Sequence, residues 1–256
     1  MRFVTVLGHR LEYQWVGDPK PSAPTLVFLH EGLGCVAMWR DVPARVASLT
    51  GCRALVYSRW GYGGSDPVTL PRPLTYMHDE ARALPELLTA LDVQTAVLVG
   101  HSDGASIALI HASTAAPLGL ALLAPHVFCE DVSVQAIERA RVAFEEGDLR
   151  ERLRRYHGAN VDGAFRGWNG AWLDPGFRHW DLTAMLPGVK APVLVIQGAD
   201  DPYGTLAQVD GIEHGVSGPF ERLVLAGCGH DPARDAPEAT ASAIAKLVAR
   251  ASAASA

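Results

Sequence analysis

The stretch Leu98-Val99-Gly100-His101-Ser102-Asp103-Gly104-Ala105-Ser106-Ile107-Ala108-Leu109 reads LVGHSDGASIAL. It sets one serine between an apolar run and a helical pattern. Residues 95–99 read as a buried strand and 105–112 as a helix, so Gly100-x-Ser102-x-Gly104 occupies the turn between them. A strand that turns sharply into a helix strains its central residue and crowds the positions on either side, which favours glycine there. Such a turn would hold the Ser102 hydroxyl above the sheet edge, at a helix N-terminus. A hydroxyl is a poor nucleophile unless a base takes its proton, and the base needs an acid to hold it.

Both partners have candidates downstream. APVLVIQGADDPYG places Asp200 and Asp201 just past an apolar strand at 193–197. ERLVLAGCGHDPARDAPEA places His230 in a glycine-lined loop, after a strand at 223–225 and before a closing helix at 237–250. All three groups follow the C-terminal ends of strands, where ligands bind in open parallel sheets.

The rest of the chain fits such a sheet. Strands are expected at 3–7, 10–16, 25–29, 53–57 and 119–123, and helices at 36–49 and 74–91. The expected buried face of the first helix is Val36, Trp39, Val42, Val46 and Leu49. Pro19 to Pro24 and the Gly- and Pro-rich 58–73 read as loops. Solid apolar strands separated by helices imply an α/β fold: a mostly parallel twisted sheet with helices on both faces. From 126 to 188 there is no convincing strand. A charged helical pattern at 134–156 precedes the tryptophan-rich stretch around Trp168, Trp172 and Trp180. The expected organisation is a core of 1–125 and 189–256 with a helical cap insertion at 126–188.

On these residues the chain resembles the α/β-hydrolase fold family, over nearly its whole length. The order Ser102, Asp201, His230 is that family's order. Gly198-Ala199-Asp200-Asp201-Pro202 is similar to its acid loop, with Asp201 as the acid and Asp200 as the adjacent alternative. His30-Glu31-Gly32-Leu33-Gly34 resembles its oxyanion loop, and YSRWGYGGSDP (57–67) its Gly-rich loop before a helix. The resemblance implies catalysis by Ser102, His230 and Asp201, with the backbone N–H groups of Gly32 and Asp103 as oxyanion donors. Glu31 stands where the family often has Gly, so Leu33 remains an alternative donor.

The resemblance further implies a serine hydrolase that cleaves a small carboxylic ester or related acyl compound through an acyl-enzyme, with no metal or organic cofactor. Lactone, thioester or carbon–carbon bond hydrolysis and perhydrolysis can use the same triad. A non-catalytic small-molecule receptor on this fold is the alternative from another class, and a purely structural module would leave the strained serine without a use. Trp168, Trp172, His126 and Phe128 are candidates to line an acyl or aryl pocket; the tryptophans are otherwise the cap's own core. Structural roles are expected for His30 (loop backbone), His101 (packing) and Glu31 (loop hydrogen-bond acceptor).

The composition narrows the partners. A net charge of -6 over 256 residues gives no basic excess, so nucleic acid is not an expected partner. No stretch is long and apolar enough for a membrane span, and the N-terminus lacks a signal-peptide core. Cys35, Cys52, Cys129 and Cys228 show no metal-binding spacing and suggest a reducing, cytoplasmic setting. Residues 251–256 read as a frayed tail. The oligomeric state is not legible.

Overall fold

The computed structural model describes all residues except Pro19, Pro21, Ser22, Ser255 and Ala256. Eight strands form one sheet: β1 (Arg2–Val6), β2 (His9–Val16), β3 (Thr25–Leu29), β4 (Ala54–Tyr57), β5 (Ala96–His101), β6 (Gly119–Leu123), β7 (Val193–Gly198) and β8 (Phe220–Leu225). Their order is β1-β2-β4-β3-β5-β6-β7-β8. β1 and β2 pair antiparallel, as do β2 and β4, and every later pairing is parallel.

The helices are α1 (Val42–Thr50), α2 (Tyr76–Ala90), α3 (Asp103–Ala112), α4 (Asp131–Glu145), α5 (Leu149–His157), α6 (Val161–Leu173), α7 (Leu206–Gly215), α8 (Pro232–Asp235) and α9 (Pro237–Ala254). Alternation along each strand divides the core into two layers. Leu26, Phe28, Val97 and Val99 face Val46 of α1 and Ile244 and Leu247 of α9. Val27, Leu29, Leu98 and Leu122 face Met77 and Leu84 of α2 and Ile107 of α3. Because both faces are covered, β3 to β7 read in the sequence as solid apolar runs.

Several elements depart from expectation. The helix expected at 36–49 is two elements: a short 3-10 turn at Val36–Trp39, then α1. Arg40 breaks it with φ 51, and Pro43 sits in the first turn of α1, where its missing N–H costs nothing. Leu49 is exposed, not part of the buried face. The pattern at 134–156 is split into α4 and α5 around Gly147. β8 begins at Phe220, three residues before the apolar run; it is the sheet edge, and its exposed Glu221 and Arg222 hide it from an apolar criterion. α7 was not anticipated. The expected frayed tail is helical to Ala254 with Ala251 buried, and its last two residues lie outside those described. The loop expected at Pro19 to Pro24 also lies partly outside them.

Candidate active site

β5 runs through Gly100 and His101, and α3 begins at Asp103, so Ser102 alone makes the turn. Its backbone has φ 51 and ψ -118, a conformation that costs a non-glycine residue on the order of 1–3 kcal/mol. The N–H of Ser102 donates to Leu123 O at 2.9 Å, which fastens the turn to the end of β6. The flanking glycines are required for space. A Cβ on Gly100 would stand 2.5 Å from Gly104 O, and one on Gly104 would stand 2.0 Å from Leu29 O. That second approach brings the N-terminus of α3 against the end of β3 and the loop that follows it.

Asp201 lies beyond β7, and its side chain is almost wholly buried. His230 Nδ1 is 2.9 Å from Asp201 Oδ1 and 2.8 Å from Oδ2. Nδ1–H donating to the carboxylate leaves Nε2 as the free acceptor. Gln197 Nε2 donates to Asp201 Oδ2 at 2.8 Å, and Tyr203 N–H to Oδ1 at 2.8 Å. Burial pushes this carboxyl's pKa up, but the His230 hydrogen bond and charge, with the Tyr203 and Gln197 donors, bring it below the usual aspartate value. Asp200 is exposed and takes no part; Asp201 is the residue that holds His230. Among the described residues no hydrogen bond joins the Ser102 hydroxyl to His230. Their loops are tied instead through His101, whose Nε2–H donates to His230 O at 2.7 Å.

The loop after β3 is held by His30, as expected, together with Arg59. Arg59 N–H donates to His30 Nε2 at 3.0 Å, so His30 Nδ1–H donates to Glu31 O at 2.7 Å. Burial and the Arg59 charge hold the His30 pKa well below the usual histidine value, which keeps it neutral for this role. Among the described residues the main-chain N–H groups of Gly32, Leu33 and Asp103 donate to no protein acceptor. For Asp103 this follows from its place in the first turn of α3. Glu31 differs from expectation: its carboxylate makes no loop hydrogen bond and lies 3.7 Å from His101 Nδ1.

Behind Ser102 the Asp103 side chain is fully buried in a polar network. Tyr76 OH donates to Asp103 Oδ2 at 2.5 Å, and Trp172 Nε1–H reaches Oδ1 at 3.3 Å and Tyr76 OH at 3.0 Å. Arg59 Nη2 lies 3.8 Å from Asp103 Oδ2. Trp168 covers the loop after β3: its Nε1 lies 2.2 Å from where a Gly32 Cβ would be. His126 is buried between the rings of Trp172 (5.2 Å) and His230 (5.6 Å). Burial, with His230 adding to it, drives the His126 pKa down to about 3.

The structure therefore gathers Ser102, His230, Asp201, Gly32, Asp103, Trp168, Trp172 and His126. It does not bring Phe128 to them. Bonds from Val127 and Phe128 N–H to Gln208 and an isolated bridge to Asp181 hold that segment, and the Phe128 ring lies against Gly211 of α7. Residues missed in the sequence are Gln197, Tyr203, Arg59, Tyr76 and the clamping role of His101. Gln197, a polar residue ending an apolar strand, was the one local signal. Among the described residues no cluster of His, Cys, Asp and Glu could hold a metal ion, and no helix is long and apolar enough to cross a membrane.

Residues 26–243 match the model of the Alpha/beta hydrolase family. A 2-succinyl-6-hydroxy-2,4-cyclohexadiene-1-carboxylate synthase of Salmonella agona is 30% identical over 138 residues, covering 53% of this chain and 50% of that protein. The chain thus spans about half the length of the curated relatives it matches. Among solved structures, a thermophilic esterase from Thermogutta terrifontis superposes with a TM-score of 0.77 at 18% identity, covering 98% of this chain and 99% of the other. The enol-lactonase from Burkholderia xenovorans superposes at 0.74 with 21% identity, covering 97% of this chain and 100% of the other. At these identities the superpositions speak for the fold alone.

Proposed function

This chain belongs to the Alpha/beta hydrolase family, and from that premise we propose that it is a serine hydrolase that cleaves a small carboxylic ester or related acyl compound through an acyl-enzyme. The observation that carries this is the two-oxygen contact of Asp201 with His230 Nδ1, in a loop tied to a serine held at φ 51. In this reading His230 Nε2 takes the Ser102 proton as the hydroxyl attacks the carbonyl. Asp201 keeps the tautomer and stabilises the imidazolium. The free N–H of Asp103, with that of Gly32 or Leu33, receives the developing oxyanion; removing one such donor typically costs about 3–4 kcal/mol of barrier. His230 then gives the proton to the leaving group, and water repeats the sequence on the acyl-enzyme.

The remaining assignments belong to the same reading. The helices α4, α5 and α6 with their connections, 126–188, act as a cap over the C-terminal ends of the strands. Trp168, Trp172 and His126 line the acyl side. The four free cysteines support a cytoplasmic setting. A small-molecule receptor is the second reading, favoured by the missing hydrogen bond between Ser102 and His230. A panel of esters, thioesters and lactones of graded acyl size separates the two. Many turnovers per protein, lost in Ser102→Ala, support the hydrolase; one turnover or none, with ligand raising the melting temperature, supports the receptor.

A further inference from the structure

The carbonyl of Glu31 takes three donors. His30 Nδ1–H donates to it at 2.7 Å, Arg59 Nη2–H at 2.9 Å and Gly34 N–H at 3.1 Å. The last of these closes a turn over Gly32 and Leu33. The far side of the turn is held by His157 of α5: its Nε2–H donates to Leu33 O at 2.9 Å, and its Nδ1 accepts from Gly63 N–H at 3.0 Å. Among the described residues the Gly32–Leu33 peptide between these anchors makes no hydrogen bond.

The two candidate donors of this loop therefore differ. Gly32 N–H belongs to the Glu31–Gly32 peptide, which is trans. A planar trans peptide points its N–H opposite to its C=O, so the three bonds to Glu31 O also fix the direction of Gly32 N–H. Leu33 N–H belongs to the peptide that nothing holds. An oxyanion site works through donors that are fixed before the charge forms.

Arg59 sits just past β4, and its side chain is fully buried. Its Nε and Nη1 are sealed from solvent without a partner among the described residues. A buried cation so incompletely paired is costly, so stability alone does not account for it. Its Nη2 touches both sides of the candidate oxyanion site: besides Glu31 O, it lies 3.8 Å from Asp103 Oδ2. Asp103 is its one ion-pair partner among the described residues, since the nearby Arg72 is paired with Glu80. Each contact favours negative charge at the site. On Glu31 O the cation polarises the peptide that carries Gly32 N–H. At Asp103 it offsets a buried carboxylate, on the residue after Ser102, whose field would otherwise oppose an oxyanion.

We infer that Arg59 is a positioning residue of the oxyanion site: it fixes and polarises the Glu31–Gly32 peptide, which makes Gly32 rather than Leu33 the donor from this loop, and it neutralises Asp103 beside the other donor. The inference rests on the serine-hydrolase reading above. Arg59 acts through the Glu31 carbonyl and the Asp103 carboxylate.

Butylboronic acid is the probe. Ser102 Oγ bonds to boron, the hydroxyl proton passes to His230, and the boron becomes tetrahedral and negative. Proton–nitrogen NMR of the wild-type chain follows the amides of Gly32, Leu33 and Asp103 as the adduct forms. Those of Gly32 and Asp103 should move downfield, and that of Leu33 should not. Arg59→Met should weaken boronate binding at least tenfold and lower kcat on an active ester with KM little changed. An arginine that serves only the fold would lower the melting temperature and leave boronate affinity and the Gly32 signal as they were. Arg59→Met/Asp103→Asn removes both charges and leaves no stranded carboxylate, so it carries the comparison if the single variant does not fold. It should still bind boronate more weakly than wild type, because Glu31 O has lost a donor. A downfield shift of Leu33 in place of Gly32, or wild-type boronate affinity in a folded Arg59 variant, overturns this inference and leaves the hydrolase reading standing. No boronate adduct on Ser102 of the wild-type chain overturns the hydrolase reading and this inference with it.

Discussion

Trp172 Nε1 lies 3.3 Å from Asp103 Oδ1 and 3.0 Å from Tyr76 OH, so α6 is joined to the residue that follows Ser102. Asp103 has its carboxylate in the protein interior, and its backbone N–H has no protein acceptor among the described residues. A buried carboxylate needs all its partners, and losing one donor costs about 1–3 kcal/mol. Trp172→Phe is expected to lower stability by at least about that amount, with a further loss for the smaller ring. In a double-mutant cycle with Tyr76→Phe, measured by urea unfolding, the two changes should couple by about 0.5–3 kcal/mol. Strict additivity would mean that the network does not act as a unit.

Asp201 and Asp200 are adjacent, yet only Asp201 reaches His230. Asp201→Asn should preserve the fold and lower kcat on an active ester by about 10³–10⁴-fold, because the amide cannot hold the required tautomer. Asp200→Asn should change kcat by less than about threefold, since exposed polar substitutions away from partners are nearly neutral. Steady-state kinetics on purified variants decides between them.

The glycines of the turn differ in what they demand. A Cβ at Gly104 would meet Leu29 O, main chain that cannot swing aside, at 2.0 Å. Gly104→Ala is therefore expected to destabilise by more than about 3 kcal/mol or to prevent folding, as overpacking against backbone does. At Gly158, φ is +55 and ψ -121 with nothing within 4 Å, so Gly158→Ala should cost only the backbone strain, about 1–3 kcal/mol, with no steric term. Thermal unfolding of the two variants measures the contrast.

Acid should weaken the fold in a defined window. His126 is held neutral to about pH 3, and His30 is likewise depressed, both first by burial. In the unfolded chain each would take a proton near pH 6.5. Between those values the unfolded state binds more protons than the native state, so stability rises with pH, by up to about 1.4 kcal/mol per unit for each histidine. Their contribution is full above pH 6.5 and is lost progressively below it. The depressed Asp201 acts in the same sense at lower pH: its stabilisation is complete above its unfolded value and is lost as pH falls through the folded one. Urea midpoints should fall from pH 7 to pH 5, and His126→Gln should flatten that slope. A slope unchanged by His126→Gln would show that this residue is not held neutral.

The sheet and the serine turn were readable because both leave local marks. Strands covered on two faces become uninterrupted apolar runs, and a turn with no room for side chains becomes Gly100 and Gly104. The acid and the base were readable because loops after successive parallel strands arrive at one edge. What escaped reading lacks such marks. The break at Arg40 depends on one positive φ in a run with helical spacing. β8 carries the exposed, charged Glu221 and Arg222 because it is an edge. The contacts among Arg59, Tyr76, Asp103 and Trp172 join residues 27 to 96 positions apart, a choice of partners that no local pattern encodes. Phe128 shows the converse: its place just after a strand end makes it a pocket candidate beside His126, but its main chain is bonded to Gln208 of α7 and its ring lies against Gly211.

The central claim is that Ser102 is a nucleophile activated by His230. Its most direct measurement is labelling by a fluorophosphonate, followed by mass spectrometry of the modified peptide. The account predicts a single time-dependent adduct on Ser102, absent in Ser102→Ala and slowed at least about 10³-fold in His230→Ala. An adduct that forms at full rate in Ser102→Ala, or an unmodified Ser102 in protein that turns over esters, would contradict it.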